Sequence, residues 1–121
     1  DRTRALAALN DIVDTAVLPG TTARLESLGE FLPLTTTSAA QELFAGYQAA
    51  AADAGLAIEG EFSGGCADSG FSAGVGCPTL CATGPVGGNA HTPEEYLDIG
   101  SLVPRAQALA LAILRLPPVA A

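Results

Sequence analysis

The sequence has no lysine, and its five basic residues are all arginines set against thirteen aspartates and glutamates, for a formal charge of −8. That balance excludes the basic footprint with which proteins bind nucleic acid or anionic membrane surfaces. No basic stretch is interleaved with aromatics either. Long apolar runs are also missing. The longest lies within Leu102–Leu116, is interrupted by Arg105 and bounded by Arg115, and reads as a buried helix rather than a bilayer span. Three cysteines, an odd number, exclude a fully paired intrachain disulfide framework. They lean towards a reducing compartment, hence a cytoplasmic location. Methionine is absent, the chain opens on Asp1, and no signal-peptide pattern is visible. The expectation is a processed or partial chain.

What is present is apolar. Hydrophobic residues make up 49% of 121 and the mean hydropathy is +0.37, which excludes disorder and allows one modest domain with a core. Leu6, Leu9, Val13 and Ala16 recur at helical spacing over Arg2–Val17, and Pro19-Gly20 ends that helix. Thr21–Leu28 alternates as a strand would, with Arg24 and Glu26 on one face. Gly, Pro and three consecutive Thr within Gly29–Thr37 interrupt both periods and mark a boundary. Ser38 to Gln41 has the pattern of a capping box opening a helix that Gly55 closes, with Leu43, Phe44, Tyr47, Ala50 and Ala54 on its apolar face. Ile58–Phe62 and Cys77–Ala82 read as strands, a short helix starts near Asp68, and Ser101 caps a last helix that runs to Leu116. This alternation predicts an α/β fold with some parallel pairing.

The only histidine, all three cysteines and most of the glycines fall within Ser63–Tyr96. Two glycine-rich turns frame a short apolar segment, and the second delivers His91 just before Thr92-Pro93-Glu94-Glu95. Locally, Thr92 is an N-cap, Pro93 suits the first helical position and Glu95 closes a T-x-x-E capping box. His91 is then presented rigidly from just outside a helix. Taken alone, a single histidine is more often a hydrogen-bonded structural residue than a ligand.

The motifs G-G-x-x-D (64–68), G-V-x-x-P-T-L (74–80) and G-P-V-G-G-x-x-H-T-P-E-E-Y (84–96), followed by Asp98-Ile99 and Ser101-Leu102-Val103-Pro104-Arg105, occur in this order. Together they resemble the end of the catalytic domain in zinc-dependent exopeptidases and deacylases. That family includes glutamate carboxypeptidases, acetylornithine deacetylases and succinyl-diaminopimelate desuccinylases, and the likeness is greatest to the glutamate carboxypeptidase branch. It covers about half of the chain.

The resemblance implies a C-terminal portion of such an enzyme. Residues 1–30 would be the last helix and strand of an inserted α+β lid or dimerisation domain, and 31–121 the re-entering catalytic domain. It implies a zinc ligand at His91, one of several that hold two ions in the complete enzyme. It also implies a substrate pocket shaped by Gly64, Gly65 and Asp68 and by Gly87, Gly88 and Asn89. The substrate would be a small peptide or N-acyl amino acid, cleaved by zinc-activated water at an amide next to a carboxylate-bearing residue. A homodimer through the lid is a further implication.

The family's His-x-Asp segment, its Glu-Glu pair and its further acidic ligand lie upstream of the matching motifs, so no catalytic residue is expected in this chain, and the chain alone is expected to be inactive. Glu94-Glu95 does not match that pair in position, and capping at a helix N-terminus accounts for two acids there. Cys66 and Ala67 stand where the pattern shows small or hydroxyl residues.

Plainer readings run alongside. The glycines are common in any tight turn, and Asp68 reads equally as an N-cap. Cys66, Cys77, Cys81 and His91, spaced C-x10-C-x3-C-x9-H, form the set for a Cys3His structural zinc module, although this spacing is not that of paired knuckles. The thiols otherwise read as buried on an apolar strand. A non-catalytic α/β module that binds a partner is the remaining alternative.

Overall fold

The computed structural model describes residues 2–15 and 17–118. The chain divides into two compact units, Asp1–Glu30 and Phe31–Ala121.

In the first unit, α1 (Arg2–Asp14) follows the 3.6-residue period, but its apolar face is uncovered: Leu6, Leu9 and Ile12 are exposed. Ala16, the last position of the predicted stripe, lies outside the described residues. Gly20, at φ +80°, turns the chain, and the Leu18 carbonyl accepts from both the amide and the hydroxyl of Thr21. The strand expected over Thr21–Leu28 does not form. Arg24 and Glu26 do share a face and pair at 3.7 Å. Alternation sets only which side chains face together, whereas a strand needs a neighbour to receive its N–H and C=O groups, and none pairs with it among the described residues. Arg2 pairs with Glu30, tying the start of α1 to the end of the unit.

The second unit is built on two helices. α2 (Ser38–Asp53) is capped by Thr37, whose hydroxyl accepts from the Ala40 amide at 3.1 Å. The cap is thus one residue earlier than the Ser38 pattern predicts, because Ser38 already has helical backbone. Its other end closes as the sequence predicts. Gly55 takes φ +78°, its amide reaches the Ala52 carbonyl at 2.9 Å, and the Leu56 amide reaches Ala51 at 2.8 Å. This is the paired bonding of a Schellman cap, which only a residue tolerant of positive φ permits at low cost.

Tyr47 and Ala51 pack with Ala108 of α4 (Leu102–Leu114), flanked by Phe44, Leu56, Ile58 and Leu80. Small residues at 51 and 108 let the helices approach closely, and the Tyr47 hydroxyl donates to the Thr83 carbonyl at 3.2 Å. Asp53, at the end of α2, pairs with Arg115, the C-cap of α4, at 2.7 Å. The C-terminal ends of the two helices therefore meet.

Between these helices the chain departs most from the predicted α/β pattern. Ile58–Phe62 is irregular: the Ile58 carbonyl accepts from Gln48 Nε2 at 2.9 Å instead of from a strand. Cys77–Ala82 is irregular too, interrupted by Pro78, which has no N–H to give, and by Ala82 at φ +57°. α3 (Ser69–Gly74) starts where expected and packs under Leu32. The pairing found among the described residues is antiparallel and two residues long, between β1 (Gly87–Gly88) and β2 (Tyr96–Leu97), in the register Gly87 to Leu97 and Gly88 to Tyr96. The fold is mixed and helix-rich with few strands, not a parallel α/β sheet.

No helix opens at Thr92. The chain enters α4 later, through a 3-10 turn at Ile99–Ser101 capped by Asp98, whose carboxylate accepts from the Gly100 amide at 2.9 Å. Ser101 makes no side-chain cap bond. Its hydroxyl donates to the Asp98 carbonyl and accepts from the Val86 amide at 2.8 Å, which ties β1 to the start of α4.

Candidate functional site

β1 and β2 are the two sides of a hairpin whose loop, 89–95, carries His91. Its glycines are dictated by Tyr96. A Cβ on Gly87 would come within 2.6 Å of the Tyr96 carbonyl oxygen, and one on Gly88 within 2.7 Å of the Tyr96 ring. The loop is held by its own polar groups. Thr92 donates to the Asn89 carbonyl from both amide (3.2 Å) and hydroxyl (2.8 Å), and Asn89 Nδ2 donates to the Glu94 carbonyl at 3.3 Å. The Glu95 amide donates to the Thr92 carbonyl at 3.1 Å, while Glu95 Oε2 accepts from the His91 amide at 3.1 Å.

These bonds force an uncommon backbone. Asn89 sits at φ +55° and His91 at φ +66°. Asn and His visit the left-handed region more often than most residues, but for an L-residue it still costs on the order of 1–2 kcal/mol. Strain of this kind persists only where surroundings impose it, and it clusters at functional positions. The histidine is exposed, as are both neighbouring acids. A shallow concavity beside the hairpin is lined by Gly87, Gly88, Ala90, Glu95 and Tyr96.

The second group of predicted residues lies elsewhere along the chain. Gly64 and Gly65 precede α3 and neither takes a positive φ, so the left-handed explanation for them does not apply. A methyl group on Gly64 would meet nothing within 4 Å. The Gly65 amide is already engaged by the Ser63 hydroxyl at 3.1 Å. Asp68 occupies the N-cap position of α3, but its backbone is helical and its side chain makes no cap bond there. The hairpin thus gathers Gly87, Gly88, Asn89 and His91; of the predicted residues Gly87 and Gly88 line its concavity, and Asn89, His91, Gly64, Gly65 and Asp68 do not.

The alternative Cys3His cluster is not formed. All three thiols are free and exposed, not buried, and no group of three His, Cys, Asp or Glu residues among the described residues is arranged to hold a metal ion. A catalytic zinc centre takes about four donors, at least three from protein. His91 brings one accessible imidazole on a fixed backbone, which suits a single ligand. The described residues do not make a centre by themselves.

Residues 7–115 match the peptidase family M20/M25/M40 over most of the chain. The chain belongs to that family. No curated protein and no solved structure matches it. The M20/M25/M40 family consists of peptidases and related hydrolases that are generally metal-dependent, which fits an accessible histidine inside the matched region. Within this M20 chain the sequence reading missed two residues. Glu95 reads in the sequence as a cap at a helix start, yet its carboxylate accepts from the His91 amide, and the H-x-x-x-E spacing is the available signal. Tyr96, which fixes the two glycines, was legible only as an aromatic following a G-G turn.

Proposed function

We propose that this chain is the C-terminal portion of a zinc-dependent exopeptidase or amidohydrolase, of the glutamate carboxypeptidase branch, that cleaves an amide next to a carboxylate-bearing residue. His91 supplies one metal ligand, and the remaining donors and the general base come from residues outside these 121. Gly87, Gly88 and Asn89 shape one wall of the substrate pocket, with Gly64, Gly65 and Asp68 contributing near the substrate carboxylate. Residues 1–30 belong to a lid or dimerisation domain and 31–121 to the catalytic domain. The enzyme is a cytoplasmic homodimer joined through its lids and acts on small peptides or N-acyl amino acids.

The observation that carries the reading is the exposed His91, held at φ +66° inside the motif that the family match covers. A structural histidine gains nothing from a strained, solvent-facing site, whereas a metal ligand gains a fixed direction of approach. Zinc, when bound, supplies Lewis acidity. The role of this chain is to fix the imidazole and the pocket wall.

The test uses the complete protein. Substituting His91→Ala should remove zinc and abolish hydrolysis of acylated glutamate or dipeptides, and the 121-residue chain alone should show no turnover with added zinc. Zinc content unchanged in the alanine variant would refute the ligand assignment.

A second reading, a partner-binding module, draws on the uncovered apolar face of α1. It predicts that the complete protein holds no stoichiometric zinc.

A further inference from the structure

The Glu95 side chain reaches back across the loop to the main chain of His91, with Oε2 3.1 Å from the amide nitrogen. We infer that Glu95 is a positioning residue: it holds His91 in the left-handed region and so aims the imidazole, without itself ligating the metal. The inference rests on the reading of His91 as a metal ligand.

The other bonds of the loop do different work. The two from Thr92 close the chain onto the Asn89 carbonyl, and the one from Asn89 Nδ2 reaches Glu94. They fix the ends of the loop, and the pairing of Gly88 with Tyr96 fixes its base. At His91 itself the main chain must be kept at φ +66° against its own Cβ. A carboxylate accepting from that amide is a charge-assisted bond, about twice as strong as a neutral one.

In a helical capping box the Glu of T-x-x-E would take the Thr92 amide. No helix forms here, and the carboxylate takes the amide one residue earlier. Without it, rotation of the preceding peptide would free His91 to relax to negative φ, and the Cα–Cβ bond that carries the ring would swing to a new direction. Groups that orient a metal ligand in this way are worth about 10–100-fold in metal affinity.

Gln at position 95 keeps an oxygen acceptor at the same reach, whereas Asp is one methylene too short. The experiment compares Glu95→Gln, Glu95→Asp, Glu95→Ala and His91→Ala in the complete protein. Zinc affinity is measured by chelator competition, and exchange of the His91 amide hydrogen on the metal-free samples.

Glu95→Ala and Glu95→Asp should weaken zinc about 10–100-fold and speed exchange of the His91 amide, with the thermal midpoint little changed. Glu95→Gln should stay within roughly threefold of wild type, since it retains the bond without its charge. If His91→Ala loses zinc while Glu95→Ala binds it as wild type does, the positioning role is overturned and the ligand reading stands. If His91→Ala keeps wild-type affinity, the ligand reading fails and takes this inference with it. Should Glu95→Ala not fold, the Asp and Gln variants decide, and equal zinc affinity in those two overturns the role.

Discussion

Gly70 has no room for a side chain. A Cβ built there would collide with the Leu32 carbonyl oxygen, because α3 and the 31–32 backbone approach too closely for any methyl group. Substituting Gly70→Ala should therefore force the two apart and cost about 1–3 kcal/mol, read from the denaturation midpoint. Gly46, exposed within α2, faces nothing within 4 Å. There the alanine should stabilise by about 0.5–1 kcal/mol through helix propensity. A midpoint that moved the same way for both would contradict the packing described.

Charge at the residue scale acts mainly at Glu30. Its bond to the Arg2 guanidinium holds the carboxyl below its usual range, partial desolvation works against this, and the attraction of the two charges adds to it. A depressed carboxyl pKa contributes stability that is complete above the unfolded value, about 4.3, and is lost as the pH falls through the lower folded one. Both groups are exposed, so the effect should be small and weakened by salt. A side-chain NMR titration of Glu30 should give a midpoint below the usual range of a glutamate, and its return to that range in Arg2→Ala checks the cause.

Among the elements, the helices were legible because each carries its own signals. The period of Leu43, Phe44, Tyr47 and Ala50 and the stop at Gly55 need nothing from the rest of the chain. Even the misplaced cap shows this, since Thr37 and Ser38 offer the same hydroxyl one residue apart. Thr37→Ala should cost α2 about 1 kcal/mol, while Ser38→Ala should fall within a few tenths. Equal losses would mean that the hydroxyl at 38 shares the cap.

The strands were not legible for the opposite reason. Ile58–Phe62, Thr21–Leu28 and Cys77–Ala82 show alternation or apolar content, but a strand exists only where another strand receives its bonds. The candidate site divides along the same line. His91 and its two glycines stood out as a motif. That Glu95 would serve His91 and not a helix start depended on where the next helix begins, and Asp98, not Thr92, decides that.

At the scale of the molecule, buried hydrophobic residues among those described number four, Tyr47, Ala50, Ala51 and Ala108, and three of them are alanines. Large side chains are left outside. Phe62 is 98% exposed and Leu28 93%, and along α4 Val103, Ile113 and Leu114 all face outward. The sequence already required cover for α4 on more than one side, and one side is supplied by α2. Contiguous apolar surface beyond a few hundred Å² is unusual on a soluble monomer. The isolated chain should self-associate in light scattering at micromolar concentration and bind a hydrophobic dye. Val103→Glu with Ile113→Glu, both on the uncovered face, should reduce both signals. A dye-silent monomer would argue that these faces are covered by the chain itself.

The meeting of the C-terminal ends of α2 and α4 has a kinetic consequence. The segment 54–101, which touches the core at Leu56, Ile58 and Leu80, separates Tyr47 and Ala51 from Ala108, and it must be closed before Ala108 can dock against them. Closing that loop costs entropy before any contact repays it, so the core is built from partners distant in sequence and its formation is slow for so helical a protein. α2, capped at both ends, can form first and wait. The loop that bears His91 lies inside the segment being closed, directly ahead of α4 and tied to it by Ser101. The bonds that shape the loop are local, but its anchorage through Ser101 is completed only when α4 docks, and until then a protease should find the 54–101 segment open.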